Sequence, residues 1–202
     1  MRFRSRRSAE PAQNSTTASE SAAPYAPGSL EGLAVRWVRW AATAPMMEDP
    51  IDDRTGEFAG RRQPEDVWFL AGSYGKVVER RCVVPPGRDL FLPVFNVWQF
   101  GDGPHAGVEG ACGSLVLDGT PIEPDLVGTP VPFLVAGSRM NGVTGGKRPV
   151  SMTVWGLWKL LPALPVGEHH LRAVGGDGSK FTVDVTYRLA VAPIAAPVVW
   201  PS

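Results

Sequence analysis

The chain has 202 residues and carries 20 basic against 20 acidic side chains, a formal net charge of zero. That balance excludes a domain dominated by attraction to polyanions, so nucleic acid is not an expected partner. Its 23 glycines and 20 prolines exceed a fifth of the chain, about twice average usage. Together with seven tryptophans and only 20% charged residues, they point to short strands and turns around an apolar surface or cleft, not to a helical bundle.

Residues 1–7 are basic, but the polar stretch that follows forms no apolar run. No signal peptide is expected, which makes the cytoplasm the expected location. Nor does any segment approach the roughly 18 apolar residues of a membrane span. Residues 1–29 are low-complexity Ser, Ala, Pro, Asn and Thr and predict a disordered tail. Residues 30–44 predict a helix capped by Ser29 and stopped by Pro45. Its stripe of Leu33, Trp37, Trp40, Ala41 and Ala44 suits flat packing on a sheet. A polar loop follows over 48–66. Strand patterns then recur at 67–72, 76–85, 89–98, 114–122, 131–137, 150–161, 169–174 and 180–191. Pro93 demands a bulge or an edge position in its strand. Asp118-Gly119 is a strong hairpin signal. The last strand alternates most cleanly, with Phe181, Val183, Val185, Tyr187, Leu189 and Val191 on one side. About eight strands and no βαβ rhythm predict an all-β protein. Its expected form is an antiparallel, jelly-roll-like sandwich over 30–202 with one N-terminal helix.

The candidate chemistry lies in two segments. Glu48, Asp49, Asp52, Asp53 and Glu57 crowd the polar loop, and such carboxylates repel unless a cation or arginine compensates. Three readings are open. The loop is a solvated turn in which Asp49 or Asp53 caps backbone and Arg54, Arg61 and Arg62 pair with acids. Alternatively it supplies catalytic carboxylates, Asp53 or Asp52. Or Asp52, Asp53, Thr55 and Glu57 hold calcium, although the spacing is not that of an EF-hand. The second segment is a strand end, where Asn96, Trp98 and Gln99 precede a glycine-rich loop carrying His105, a candidate general base. Trp68, Trp155 and Trp158 are either core or cleft wall, and Gln63 borders the polar loop. Trp155 and Trp158 are three apart and face opposite sides of an unbroken strand. His169 and His170 likewise diverge and cannot chelate one ion. Three histidines and two cysteines assemble no zinc signature, and no nucleophile elbow, HExxH, P-loop or dinucleotide fingerprint occurs. No metal or cofactor is expected. Cys82 and Cys112 permit one disulfide without demanding it.

Several phrases combine into a larger pattern. They are W-x-x-W at Trp37 and Trp40, D-x-T-G at 53–56, and Gln63 followed by VWFLAG. Arg80 to Asn96 then reads R-x-C-x-V-P-x-G-x-x-x-F-x-P-x-x-N, before a D-G at 118–119 and a closing G-x-H at 167–169. Over roughly 37–191 the chain resembles an uncharacterised family of usually secreted bacterial and archaeal proteins. The resemblance makes Asp53 the first candidate acid and Asp52 the second. It also implies a Cys82–Cys112 disulfide, which would close a loop of about 30 residues and contribute roughly 3–4 kcal/mol. His169 is expected to brace its hairpin.

These readings converge on a site between the 48–63 loop and the strand end at 96–105. The expected function is binding of a neutral or apolar small molecule, or a glycan, in an aromatic-lined cleft. The catalytic alternative is a cofactor-independent cyclase, isomerase or hydrolase using cleft carboxylates. A third class is a structural protein whose tryptophans bury a homo-oligomer interface.

Overall fold

Helix α1 spans Leu30–Thr43 and begins where Ser29 accepts the Gly32 N–H on its hydroxyl at 3.1 Å. It ends where Pro45 forces Ala44 into extended backbone. A computed structural model describes residues 24–193, so the part of the expected tail at 1–23 lies outside the described residues. The remainder, 24–29, is built into the domain. The Tyr25 hydroxyl donates to the Val131 carbonyl at 2.9 Å and accepts its N–H at 2.6 Å. The last helical carbonyls have no intrahelical partner, and a distant loop supplies one. Asn141 Nδ2 donates to the carbonyls of Ala41 and Ala44, both at 2.9 Å, and Ser138 N–H donates to Ala42.

Among the described residues ten strands follow: β1 Val67–Phe69, β2 Val77–Val84, β3 Asp89–Phe100, β4 Cys112–Leu117, β5 Thr120–Ile122, β6 Asp125–Gly128, β7 Phe133–Val135, β8 Val150–Leu161, β9 Gly167–Gly176 and β10 Thr182–Val191. The first sheet runs β1-β3-β8-β6, with β7 also on β8, and the second runs β2-β10-β9-β4-β5. Helix α1 covers the first sheet with a core of Trp37, Phe69, Phe91 and Trp158. The other face of that sheet packs on the second through Leu90, Leu92, Val94, Leu171, Val185 and Leu189. The fold is therefore an all-β sandwich with a helix on one side. Its sheets are mixed, because β1·β3 and β2·β10 pair in parallel. The chain crosses to the second sheet for β2 before returning to the first for β3, and a crossover of this kind sets strands parallel. Among the described residues, no helix is long and apolar enough to cross a membrane.

Local pattern explains most elements. Val183, Val185, Tyr187, Leu189 and Val191 of β10 are all buried, as their alternation predicts. Strand β2 turns Val78, Arg80, Cys82 and Val84 inward, which places an arginine in the core row. Strand β8 stays regular through Gly156, where a Cβ would lie 2.2 Å from the Phe95 carbonyl. Trp155 and Trp158 accordingly diverge. Trp158 is fully buried and stacked on Phe91 at 5.3 Å, while Trp155 is half-buried.

The disulfide implied by the resemblance does not form, and both cysteines are free. Cys82 of β2 pairs with Leu189, itself opposite His169 of β9, whereas Cys112 of β4 pairs with Gly176 of β9. The two are thus three strands apart laterally, about 14 Å, and offset by seven residues along β9, about 23 Å. A disulfide needs Cα atoms within about 7 Å. Burial pushes the Cys82 thiol up to about 12.

Candidate functional site

Strand β1 covers only Asp89–Phe91 of β3, so the edge of β3 beyond Phe91 lacks a strand partner on that side. A partly enclosed cavity of about 40 Å³ opens there. Its apolar walls come from Trp37, Ile51, Val94, Phe95, Trp98, Phe181 and Val183, and its polar side chains are Ser73, Tyr74 and Asn96. The register of β3 shifts between Pro93 and Phe95. Pro93 cannot donate to the ladder, and the resulting bulge reverses the alternation. Phe91 and Trp98 therefore both pack with the helix-side core although they stand an odd number of positions apart. The same shift carries Asn96 into the cavity.

Most polar groups in the wall are already bonded. Trp37 Nε1 donates to the Leu70 carbonyl at 2.9 Å. Ser73 Oγ donates to the Lys76 carbonyl and accepts its N–H. The Tyr74 hydroxyl donates to Asp49 Oδ2 at 3.0 Å. Asn96 Nδ2 is buried without any partner. Such an unmade bond costs about 1–3 kcal/mol, so it marks a position where stability is given up.

Asp49 stands behind Tyr74 and is only 5% exposed. Burial raises its pKa above the ordinary carboxylate value, outweighing hydrogen bonds from the Ile51 N–H and Tyr74. Burial and then the Asp49 charge push the Tyr74 phenol far above its ordinary value, so Tyr74 stays protonated. Gly142 lies against the pair, and a Cβ there would come within 2.3 Å of Tyr74 Oη. Two walls are fixed by Arg80, which is 1% exposed. Its guanidinium donates to the carbonyls of Ile51 and Asp53 on one wall and of Ala71 and Gly72 on the other, and to the Tyr187 hydroxyl.

Of the candidate site residues expected from the sequence, Asn96 and Trp98 line this cavity and the others do not. Asp53 closes its own turn. Its carboxylate accepts from Thr55 N–H and Oγ1, Gly56 N–H and Phe58 N–H at 2.8–3.1 Å. Burial pushes its pKa up, but these bonds prevail and hold it below the ordinary value. That is the opposite of what a general acid near neutral pH requires. Asp52 is exposed and paired with Lys76 at 2.6 Å, and Glu48 is paired with Arg61 and Arg62. The loop carboxylates thus point in four directions. Among the described residues no group of three His, Cys, Asp or Glu side chains is placed to hold a metal ion.

Gln63 serves β1 as a substitute strand. It accepts the Phe69 N–H at 2.7 Å and donates to the Phe69 and Ala59 carbonyls. Trp68 and Trp158 are core, each with a buried indole N–H that has no partner. Gln99 is exposed at the end of β3. His105 stacks on Trp155 at 6.1 Å, and its Nδ1 accepts the Gly107 N–H. Burial lowers its pKa. This stack is separate from the cavity. Sequence reasoning did not single out Tyr74 or Phe181 as cavity residues. The available signal for Tyr74 was an aromatic in a Gly-Ser-Tyr-Gly turn next to an apolar strand.

Two larger hollows are shallower. One, of about 370 Å³, is lined by Cys112, Ser114, Val174, Thr182 and glycines, and the other, of about 400 Å³, by Arg54, Lys76, Val77, Val78 and Glu79. Neither has an aromatic wall.

No protein-family model matches this chain, and no curated protein matches it. The solution structure of Amebosin is similar over 61% of this chain and 96% of that chain, at 13% identity and a TM-score of 0.24. A likeness this slight carries no argument about fold or function.

Proposed function

We propose that the protein binds a small, neutral, largely apolar molecule, with its one polar end in the cavity beside Asn96. The observation that carries this reading is a largely apolar and aromatic enclosure at the uncovered edge of β3, with only Ser73, Tyr74 and Asn96 as polar side chains in its wall. Binding sites commonly combine apolar walls with few polar groups. The volume of about 40 Å³ suits one functional group and not a sugar ring, so a small organic molecule is favoured over a glycan. The half-buried Trp98 and Phe181, 37% exposed, are available to cover the rest of the ligand. A binding role is also favoured over acid–base catalysis. Asp52 and Asp53 are committed elsewhere, and Asp49 reaches the cavity only through Tyr74.

The test is a titration of the full chain with short alcohols, ketones, amides and methyl glucoside, followed by the amide and indole resonances in NMR. Saturable shifts at Asn96 and Trp98 are expected with the small compounds, and none at Asn96 with the glucoside. Gly72 provides the control. A Cβ there meets only Pro93 at 3.7 Å and Val183 at 3.9 Å, both ordinary contacts, so Gly72→Val brings side-chain bulk to the cavity wall without a clash at its Cβ. The variant should fold and lose the shifts. Unchanged binding in Gly72→Val, or no saturable binding by any compound, would place the function elsewhere.

A further inference from the structure

We propose that the loop 101–111 between β3 and β4 is an acid-released latch: neutral His105 holds the 105–107 turn on Trp155, and protonation of His105 lifts the turn away. The proposal is independent of the cavity. The loop is anchored at both ends. At its start, Gly101 N–H donates to the Ser151 carbonyl at 2.9 Å and Thr153 Oγ1 donates to the Gly103 carbonyl at 3.2 Å. At its far end Gly110 packs on Gly178 of the β9–β10 turn, where a Cβ would lie 2.4 Å from the Gly110 carbonyl oxygen. Between these anchors the turn rests on one indole. The His105 ring stacks on Trp155 with centroids 6.1 Å apart and planes 15° from parallel. Gly107 lies along the Nε1 edge of the same indole, which a Cβ would meet at 3.5–3.6 Å. Gly107 N–H donates to His105 Nδ1 at 3.0 Å and ties the two together. That bond requires a bare Nδ1, so the ring carries its hydrogen on Nε2. Protonation adds a hydrogen to Nδ1 that faces the Gly107 N–H, and two donors cannot share the bond. The stack does not oppose protonation, because an indole face also attracts a cation. The Gly107 bond is what responds to pH. Nearby charges do not replace it. Among the described residues, Asp102 and Glu109 on the loop and Lys180 beyond β9 make no ion pair with His105. Asp177 accepts from the Ser179 and Phe181 N–H groups, and Asp125 of β6 pairs with Lys159 of β8. Burial alone shifts the His105 pKa, and lowers it from 6.5. Closure is therefore at full strength above 6.5 and weakens as pH falls below it. Release bares the Nε1 edge of Trp155 beside Val97, its neighbour across the ladder.

The test is a pH titration of the full, isotope-labelled chain by NMR, from about pH 4.5 to about pH 8, a span chosen around histidine titration. Three signals are followed: the His105 ring protons, the Gly107 amide and the Trp155 indole N–H. All three are expected to move together with a midpoint below 6.5. Exchange of the Gly107 amide with solvent, corrected for its intrinsic pH dependence, should speed up about tenfold or more on the acid side as the amide loses its acceptor. His105→Phe keeps a ring on the indole without a nitrogen that titrates, so its Trp155 signal should stay constant over the same span. The titration of the parent chain stands without the variant, so a folding defect there does not blunt it. A Gly107 amide and a Trp155 indole that stay fixed while His105 protonates overturn the latch. So does a His105 midpoint at or above 6.5, or a His105 that stays neutral to the acid end. Gly107 and Trp155 signals that instead follow His169, whose pKa lies above 6.5, or a Trp155 signal that titrates equally in His105→Phe, overturn it as well.

Discussion

Asn96 and Asp53 are both polar residues in an apolar setting, and their hydrogen bonds set them apart. Asn96 Nδ2 is buried with no partner, so an apolar replacement of similar shape removes a desolvation cost. Asn96→Leu is expected to raise unfolding free energy by about 1–3 kcal/mol while reducing affinity for cavity ligands. Chemical denaturation checks the first effect, and a destabilised variant would show that the amide is bonded. Asp53 behaves oppositely. Four bonds to its carboxylate hold the 53–58 turn. In Asp53→Asn an amide N–H₂ would face the Phe58 N–H or its neighbours, leaving a donor unpaired. A loss of about 1–3 kcal/mol is expected at neutral pH. The folded pKa lies below the ordinary 3.8. Its stabilisation is therefore present above 3.8 and lost as pH falls through the folded value. Urea unfolding of both proteins between pH 2 and 7, values chosen to bracket carboxylate titration, should show their difference shrinking toward the acid end.

Elements are tied together by contacts of the same kind. His169 on β9 directs Nδ1 to Asp118 Oδ2 at 2.7 Å and Nε2 to the Pro165 carbonyl at 2.9 Å. Both partners are acceptors, so the doubly protonated ring is the form that satisfies both. The clasp joins the β4–β5 turn to the turn before β9, which is the bracing role expected from the sequence. Burial lowers the His169 pKa, but the bonds to Asp118 and Pro165 prevail and leave it above the ordinary 6.5. Burial likewise raises Asp118, but its bonds to His169 and the His170 N–H bring it below 3.8. The clasp's histidine contribution is complete below 6.5 and is lost as pH rises through the higher folded value. Its aspartate contribution is present above 3.8 and is lost as pH falls through the lower one. It is strongest between those two ordinary values. The Asp118 side chain is 46% exposed, so screening keeps the effect under about 1 kcal/mol. Stability measured from pH 5 to 9, a span chosen around histidine titration, should fall less on the alkaline side in His169→Gln than in the parent. Identical slopes would sink the clasp.

At the scale of the whole molecule, strand order decides which side chains can meet. Cys82 and Cys112 sit at opposite ends of β9's register and three strands apart. Non-reduced native protein is therefore expected to have the mass of a dithiol. A thiol reagent should label exposed Cys112 rapidly and Cys82 only after unfolding, since Cys82 is buried and its thiol is pushed up to about 12. Two unreactive cysteines released together by reductant would contradict the sheet topology. The same topology makes the cavity. Because β1 is three residues long and β3 twelve, the longer strand overruns its partner, and residues 70–75 with the 49–53 loop close over the uncovered edge.

The sequence alone determined those features that depend on a few neighbouring residues. A Ser before an apolar stripe starts a helix, Pro93 demands a bulge, Asp118-Gly119 turns a hairpin, and the alternation of 183–191 selects a buried face. Each follows from bonding or periodicity within a short window. Asn96 and Trp98 were also legible, as a polar residue and an aromatic beside the end of an apolar strand. The tertiary structure decided the rest. Tyr74 and Asp49 meet across 25 residues of sequence, and no local rule distinguishes Asp49 from Asp52 or Asp53. Which of them is buried against a phenol, paired with a lysine or tied into its own turn depends on where β2 and β10 carry Arg80 and Tyr187. The short β6, the two parallel pairings and the separation of the cysteines likewise arise from non-local burial. The free energy of burying one face against another is gained only when distant segments meet, so it leaves no periodic trace in the segments themselves.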